Sequence, residues 1–86
     1  MTLKERFEDA QTRVNALHAK PGNDVLLALY ALYKQATTGD ATGPKPGLMD
    51  LRGRAKHEAW SGKKGVTSEA AMEAYVLYVD QLVSAR

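Results

Sequence analysis

Cysteine is absent from the chain. That excludes disulfides, thiolate-held metals and cysteine nucleophiles, and leaves stability to the packed core. Isoleucine is absent too, and phenylalanine and tryptophan occur once each. Nowhere do four or more residues alternate apolar and polar in the manner of a half-buried strand, so a sheet is not expected. No run of about 18 apolar residues occurs, which excludes a membrane-spanning helix and predicts no membrane insertion. The opening MTLKERFEDAQTR mixes acids and bases without an apolar stretch, so no signal peptide is expected and the expectation is a soluble, cytoplasmic protein. A chain of 86 residues is expected to form one domain over 1–86, because a second would have no core of its own. A domain of this size buries only about two-thirds of its unfolded surface, so its stability is modest.

What is present points to helices. Alanine occurs thirteen times and leucine ten, both strong helix formers. Thr2 with Glu5 has the form of a capping box, and Phe7, Ala10, Val14 and Leu17 follow at helical spacing. KPGN at 20–23 stops this helix, since Pro21 lacks an N–H and Gly22 frees the backbone. Asn23 or Asp24 is the candidate cap of a second helix, about Val25 to Thr37, with Leu26, Leu29, Tyr30 and Tyr33 facing inward. TGDATGPKPG at 38–47 reads as a long connecting loop. Asp50 caps a third helix over about Leu51 to Ser61, and Thr67 a fourth, whose Met72, Tyr75, Val76, Val79, Leu82 and Val83 recur at 3.6-residue spacing. The predicted fold is therefore all-α, a small four-helix bundle with a long loop between helices 2 and 3.

Net charge is +2, too small for bulk nucleic-acid affinity, but it is unevenly spread. Residues 1–33 are neutral, 34–64 carry +4, and the remainder carries −2. The basic middle either collects the phosphates of an anion or is simply solvated.

Catalytic constellations are missing. His18 and His57 fall in different predicted helices and belong to no metal-binding pattern. His18 is expected to meet the last carbonyls of helix 1, and His57 to be exposed or at an edge. Glu8 and Asp9 are adjacent and point apart, as on a solvated face. No phosphate-binding glycine loop and no nucleophile elbow occurs, so no enzyme is expected. A binding site has better support. Tyr30, Tyr33 and Lys34 share one helical face, as do Arg52 and Lys56 on the third helix. If the faces meet, rings and cations converge on something flat and anionic, such as a nucleotide. Otherwise the tyrosines are core and the lysine snorkels into water.

Three segments, LYKQATTGD, KPGLMDLRGRAKHEAW and KKGVTSEAAMEAYVLYV, resemble the acyl-CoA-binding protein family, in order and over essentially the whole chain. The most specific parts are Tyr33 to Thr37 with Gly39-Asp40, the Gly53 to Trp60 segment, and Ala71-Met72 with Tyr75. The resemblance implies a four-helix bundle that binds medium- to long-chain fatty acyl-CoA without altering it, as an intracellular carrier and pool buffer. No cofactor or metal is implied. By position, Tyr30, Tyr33 and Lys34 resemble the family's adenine and 3′-phosphate cluster. Lys56 matches a second phosphate-directed lysine, Arg52 a basic head-group position, and Tyr75 a tyrosine at the adenine end. Asn15 stands where many members have a lysine, and His57 where an aromatic residue is common; both departures bear on affinity. Weaker assignments to the acyl chain are Ala10, Leu26, Leu27 and Met49. A monomer with transient docking to acyl-CoA-using enzymes is expected. The alternative is a small helical protein-interaction or nucleic-acid-binding module.

Overall fold

The computed structural model describes residues 1–84 and, among them, holds four helices and no strand: α1 (Leu3–Asn15), α2 (Asn23–Thr37), α3 (Leu51–Ser61) and α4 (Ser68–Ser84). The bundle anticipated from periodicity is present. Thr2 caps α1 with both arms of the capping box: its hydroxyl accepts the Glu5 N–H at 3.1 Å while Glu5 Oε1 accepts the Thr2 N–H at 2.9 Å. Asp50 caps α3 by accepting the Gly53 N–H, and Thr67 caps α4 by accepting the Ala70 N–H.

Two boundaries differ from the sequence expectation. α1 stops at Asn15, well before Pro21. The Ala16 N–H is shared between the Thr12 and Arg13 carbonyls and Leu17 reaches only to Val14, so the last turn tightens and unwinds before the proline acts. His18 therefore lies beyond the helix, exposed, and makes no hydrogen bond to a helix carbonyl among the described residues. The cap of α2 is Gly22, which supplies no side-chain hydrogen bond; Asn23 and Asp24 are already helical.

The helices that pack closely are α1 with α4, α4 with α2, and α2 with α3. The spatial order is thus α1, α4, α2, α3, and α1 is held apart from its sequence neighbour α2. The molecule measures 38 × 28 × 15 Å, so its thin dimension is little more than one helix diameter. Such a slab has a small core. It consists of Phe7 and Ala10 of α1, Leu29, Leu32 and Ala36 of α2, and Ala71, Tyr75, Val76 and Val79 of α4. α3 contributes only Trp60 to the buried set, and is attached as a flap along α2.

The buried polar residue Gln35 ties the long connection to the α3–α4 turn. Its Nε2 donates to Asp40 Oδ1 at 2.8 Å and to the Val66 carbonyl at 2.9 Å. The same Asp40 oxygen accepts the Gly65 N–H at 2.9 Å, and Gly65 has φ +89°, a left-handed conformation that suits glycine. Trp60 Nε1 donates to the Gly39 carbonyl at 2.7 Å, fixing α3 to the end of α2. These bonds set the position of the basic helix relative to the tyrosines of α2.

Candidate ligand-binding cleft

The face of α2 that enters the core is Leu29, Leu32 and Ala36. Tyr30 is half-buried and Tyr33 is 39% exposed, so the expectation that both tyrosines face inward as core is corrected. A rotation of about 100° around the helix axis, one residue's step, separates the core stripe from a second stripe carrying Tyr30, Tyr33 and Lys34. The tyrosines of that stripe wall two adjoining clefts, Tyr30 both of them and Tyr33 the first.

The first cleft fills the gap between α1 and α2 and has a volume of about 480 Å³, within the range of small-molecule sites. Asn15 and the loop after it form one wall, Tyr30 and Tyr33 the other, and Tyr75 of α4 contributes from below. Phe7 bridges the helices, stacked on Tyr33 with ring centroids 6.1 Å apart and edge-on to Tyr75 at 5.1 Å. Burial raises the pKa of the Tyr75 hydroxyl, and nearby Tyr33 adds to the rise. Tyr75 is thus both a core residue and part of the cleft, with its neutral hydroxyl available as a hydrogen-bond donor.

The second cleft, about 560 Å³, lies between α2 and α3 and shares Lys20, Leu26 and Tyr30 with the first. Leu26 and Leu27 line it from α2, and Leu51, Arg52 and Lys56 from α3. Tyr30 is the ridge between the two spaces, and Lys56 Nζ lies 5.2 Å from its ring centroid. Lys34 lines neither cleft; its Nζ sits 4.8 Å from the Trp60 ring, at the same α2–α3 seam. Cation–π contacts contribute about 0.5–1 kcal/mol at exposed sites and more where the groups are desolvated. Among the described residues, Lys34, Arg52 and Lys56 have no carboxylate partner, whereas Arg13 is paired with Asp9 and Asp80, and Lys45 with Glu58.

The structure brings Asn15, Tyr30, Tyr33 and Tyr75 to one cleft and Tyr30, Arg52 and Lys56 to the next, with Lys34 beside them. Of the assigned chain contacts, Leu26 and Leu27 line the second cleft. Ala10 does not: it is fully buried in the core shared with α4, because its position on α1 falls on the packed stripe. Met49 is 97% exposed and outside both walls, because the turn before α3 points it away. His57, expected to be exposed or at an edge, is half-buried against Trp60, and its Nε2 is enclosed without a partner. Lys20 lines both clefts, a role hidden by its place in the helix-stopping KPGN; the signal available was a cation in the turn joining the two helices that form the site.

A thin helical slab with aromatic walls, unpaired cations and an apolar continuation defines a binding protein for an amphipathic anion. The family model described as "Acyl CoA binding protein" matches residues 4–79, and the chain belongs to that family. It is 50% identical over 84 residues to the acyl-CoA-binding protein homolog 1 of Caenorhabditis elegans, covering 98% of this chain and 95% of that protein. It is 46% identical over 82 residues to the acyl-CoA-binding protein of Saccharomyces cerevisiae, covering 95% of this chain and 94% of that one. The crystal structure of Oryza sativa acyl-CoA-binding protein 2 superposes with a TM-score of 0.91 at 38% identity, covering 96% of this chain and 90% of that chain.

Proposed function

We propose that this protein binds fatty acyl-CoA thioesters non-covalently and serves as a carrier and buffer for them, without catalysis. The observation that carries the reading is the meeting, at Tyr30, of an aromatic wall, cations without acidic partners and a leucine-lined cleft. Acyl-CoA has the complementary make-up: a flat base, several phosphates and an apolar tail.

In this reading the adenine rests against Tyr30 and Tyr33, with Tyr75 beneath. Lys34 and Lys56 receive the 3′-phosphate, while Arg52 and Asn15 meet the rest of the head group. Support comes from the cation–π contacts, which hold both ammonium groups along the α2–α3 seam, one at Tyr30 and one at Trp60. Phosphate contacts from such groups are charge-assisted and stronger than neutral hydrogen bonds. The tail follows Leu26 and Leu27 toward Leu51, each buried methylene contributing about 0.8 kcal/mol. The chain acts as one domain and a monomer in the cytoplasm, handing its ligand to acyl-CoA-using enzymes by transient contact. No helix among the described residues is long and apolar enough to cross a membrane.

Calorimetry tests the reading. Palmitoyl-CoA binds tightly, CoA weakly and free palmitate hardly at all if both ends are recognised together. Folded protein that gives no heat with palmitoyl-CoA refutes it.

A further inference from the structure

His18 lines the first cleft from the segment that joins α1 to α2. It is exposed because α1 stops at Asn15, and among the described residues it has no carboxylate partner. It stands across the cleft from the tyrosines of α2, on a wall poor in fixed charge. Lys34 and Lys56 lie along the α2–α3 seam, and Arg52 lines the second cleft. On the α1 side of the first cleft the one permanent cation is Lys20, since Asn15 is neutral.

Few groups face His18. Lys20 shares its segment, while Tyr30 and Tyr33 of α2 and Tyr75 of α4 complete the cleft. His18 also borders a third cavity of about 440 Å³, to which α2 contributes Val25 and α4 contributes Leu82. Lys20 is the only other charged side chain in these two linings, and neither holds a carboxylate. Of the residue types present, histidine alone ordinarily changes charge between pH 5 and 8. Neither lining offers an anion to an imidazolium; a bound phosphate does.

We infer that His18 is a proton-dependent ligand contact, its imidazolium meeting a pyrophosphate oxygen of the acyl-CoA head group, so that affinity rises as pH falls. The inference rests on the reading of the cleft as an acyl-CoA site. Its sign follows from linkage. A contact made by the charged form strengthens binding where that form is populated, and bound phosphate favours the charged form by the same factor. Binding near neutral pH therefore takes up a fraction of a proton. The pyrophosphate is the partner because Lys34 and Lys56, which receive the 3′-phosphate in the proposed pose, lie across α2 at its seam with α3. The other histidine, His57, packs on Trp60 and lines neither cleft, so its titration is common to wild type and His18 variants.

The test is calorimetry of palmitoyl-CoA with the full-length protein and with His18→Gln from about pH 8 to pH 5.5, repeated with the 3′-dephospho ester. The second ligand lacks the phosphate monoester, which itself titrates at about pH 6. The ratio of wild-type to variant affinity rises roughly fivefold across that range with both ligands, as for an exposed ion pair. Wild type takes up about a third of a proton more than the variant on binding, read from heats in buffers of different ionisation enthalpy. His18→Lys, whose charge is permanent, abolishes this pH-dependent difference and stays tight at the alkaline end. Equal pH profiles and equal proton uptake for wild type and His18→Gln overturn the inference, as does an effect that vanishes with the dephospho ester. Either result, with heat still released by palmitoyl-CoA, leaves the carrier reading intact. No heat from wild type at any pH refutes the carrier reading and the inference together.

Discussion

Lys34 is the residue on which the snorkelling and ligand-binding accounts part. Its ammonium is held over the Trp60 ring and has no carboxylate partner among the described residues. Removing it from the free protein therefore loses only a cation–π contact of about 0.5–1 kcal/mol. Removing it from a complex leaves a phosphate without its counter-charge. Lys34→Ala is accordingly predicted to weaken palmitoyl-CoA binding by about 2 kcal/mol or more, while chemical denaturation shows a loss of no more than about 1 kcal/mol. Equal, small effects in both measurements would return Lys34 to a snorkelling role. Asn15 offers the opposite test. It is exposed on the wall of the first cleft, so Asn15→Lys adds a cation there without disturbing packing. The variant is predicted to bind acyl-CoA more tightly and with a steeper salt dependence; an unchanged affinity would place the head group away from that wall.

Among the elements, α3 depends on tethers because it buries little besides Trp60. Gln35, 1% exposed, is central to them. Gln35→Leu leaves the Val66 carbonyl without its side-chain donor and removes one of the two donors to Asp40, the other being the Gly65 N–H, and is predicted to lower stability by about 2 kcal/mol in urea denaturation. A neutral effect would show that the turn is held otherwise. Hydrogen bonds from the Gly65 N–H, first, and from Gln35 lower the Asp40 pKa below its ordinary value of 3.8. Glu5 is lowered likewise by the Thr2 N–H and hydroxyl. A carboxylate with a lowered folded-state pKa contributes stability that is present above its unfolded pKa and lost as pH falls through the folded one. Melting temperature is thus predicted to be flat with respect to these groups above about pH 5 and to fall below the unfolded values of 3.8 and 4.5. Asp40→Asn should flatten that acid limb; an identical pH profile would mean that Asp40 is not coupled to folding.

The elements were legible in the sequence where a local chemical signal exists. The capping box at Thr2 and Glu5 and the caps Asp50 and Thr67 set helix starts that the structure keeps. The end of α1 was not, because Leu17 continues the apolar period while its side chain serves a cleft rather than the core. Spacing put Tyr30, Tyr33 and Lys34 on one face but not which way that face turns. The answer depends on α4 lying between α1 and α2, a tertiary choice with no local signature. For the same reason Ala10 reads alike as core or cleft, and Met49 as apolar and therefore buried.

As a whole, the molecule sets binding function against stability. A slab 15 Å thick opens clefts on both sides of α2 at the expense of core volume, so a bound ligand contributes appreciably to holding it together. At a free ligand concentration of a hundred times Kd, binding adds about 2.7 kcal/mol. For a domain of this size the melting temperature is predicted to rise by roughly 10 °C or more with palmitoyl-CoA, and by much less with CoA. A rise of equal size for both would mean that the tail is not gripped.

The central claim is that one continuous site recognises an anionic head and an apolar tail together. The most direct test is a calorimetric series comparing CoA, palmitate and acyl-CoA esters of increasing chain length on the same protein. The account predicts negligible binding of palmitate, weak binding of CoA, and affinity that climbs with each added methylene until the leucine-lined cleft is filled. Affinity independent of chain length, or palmitate bound as tightly as its CoA ester, would contradict it.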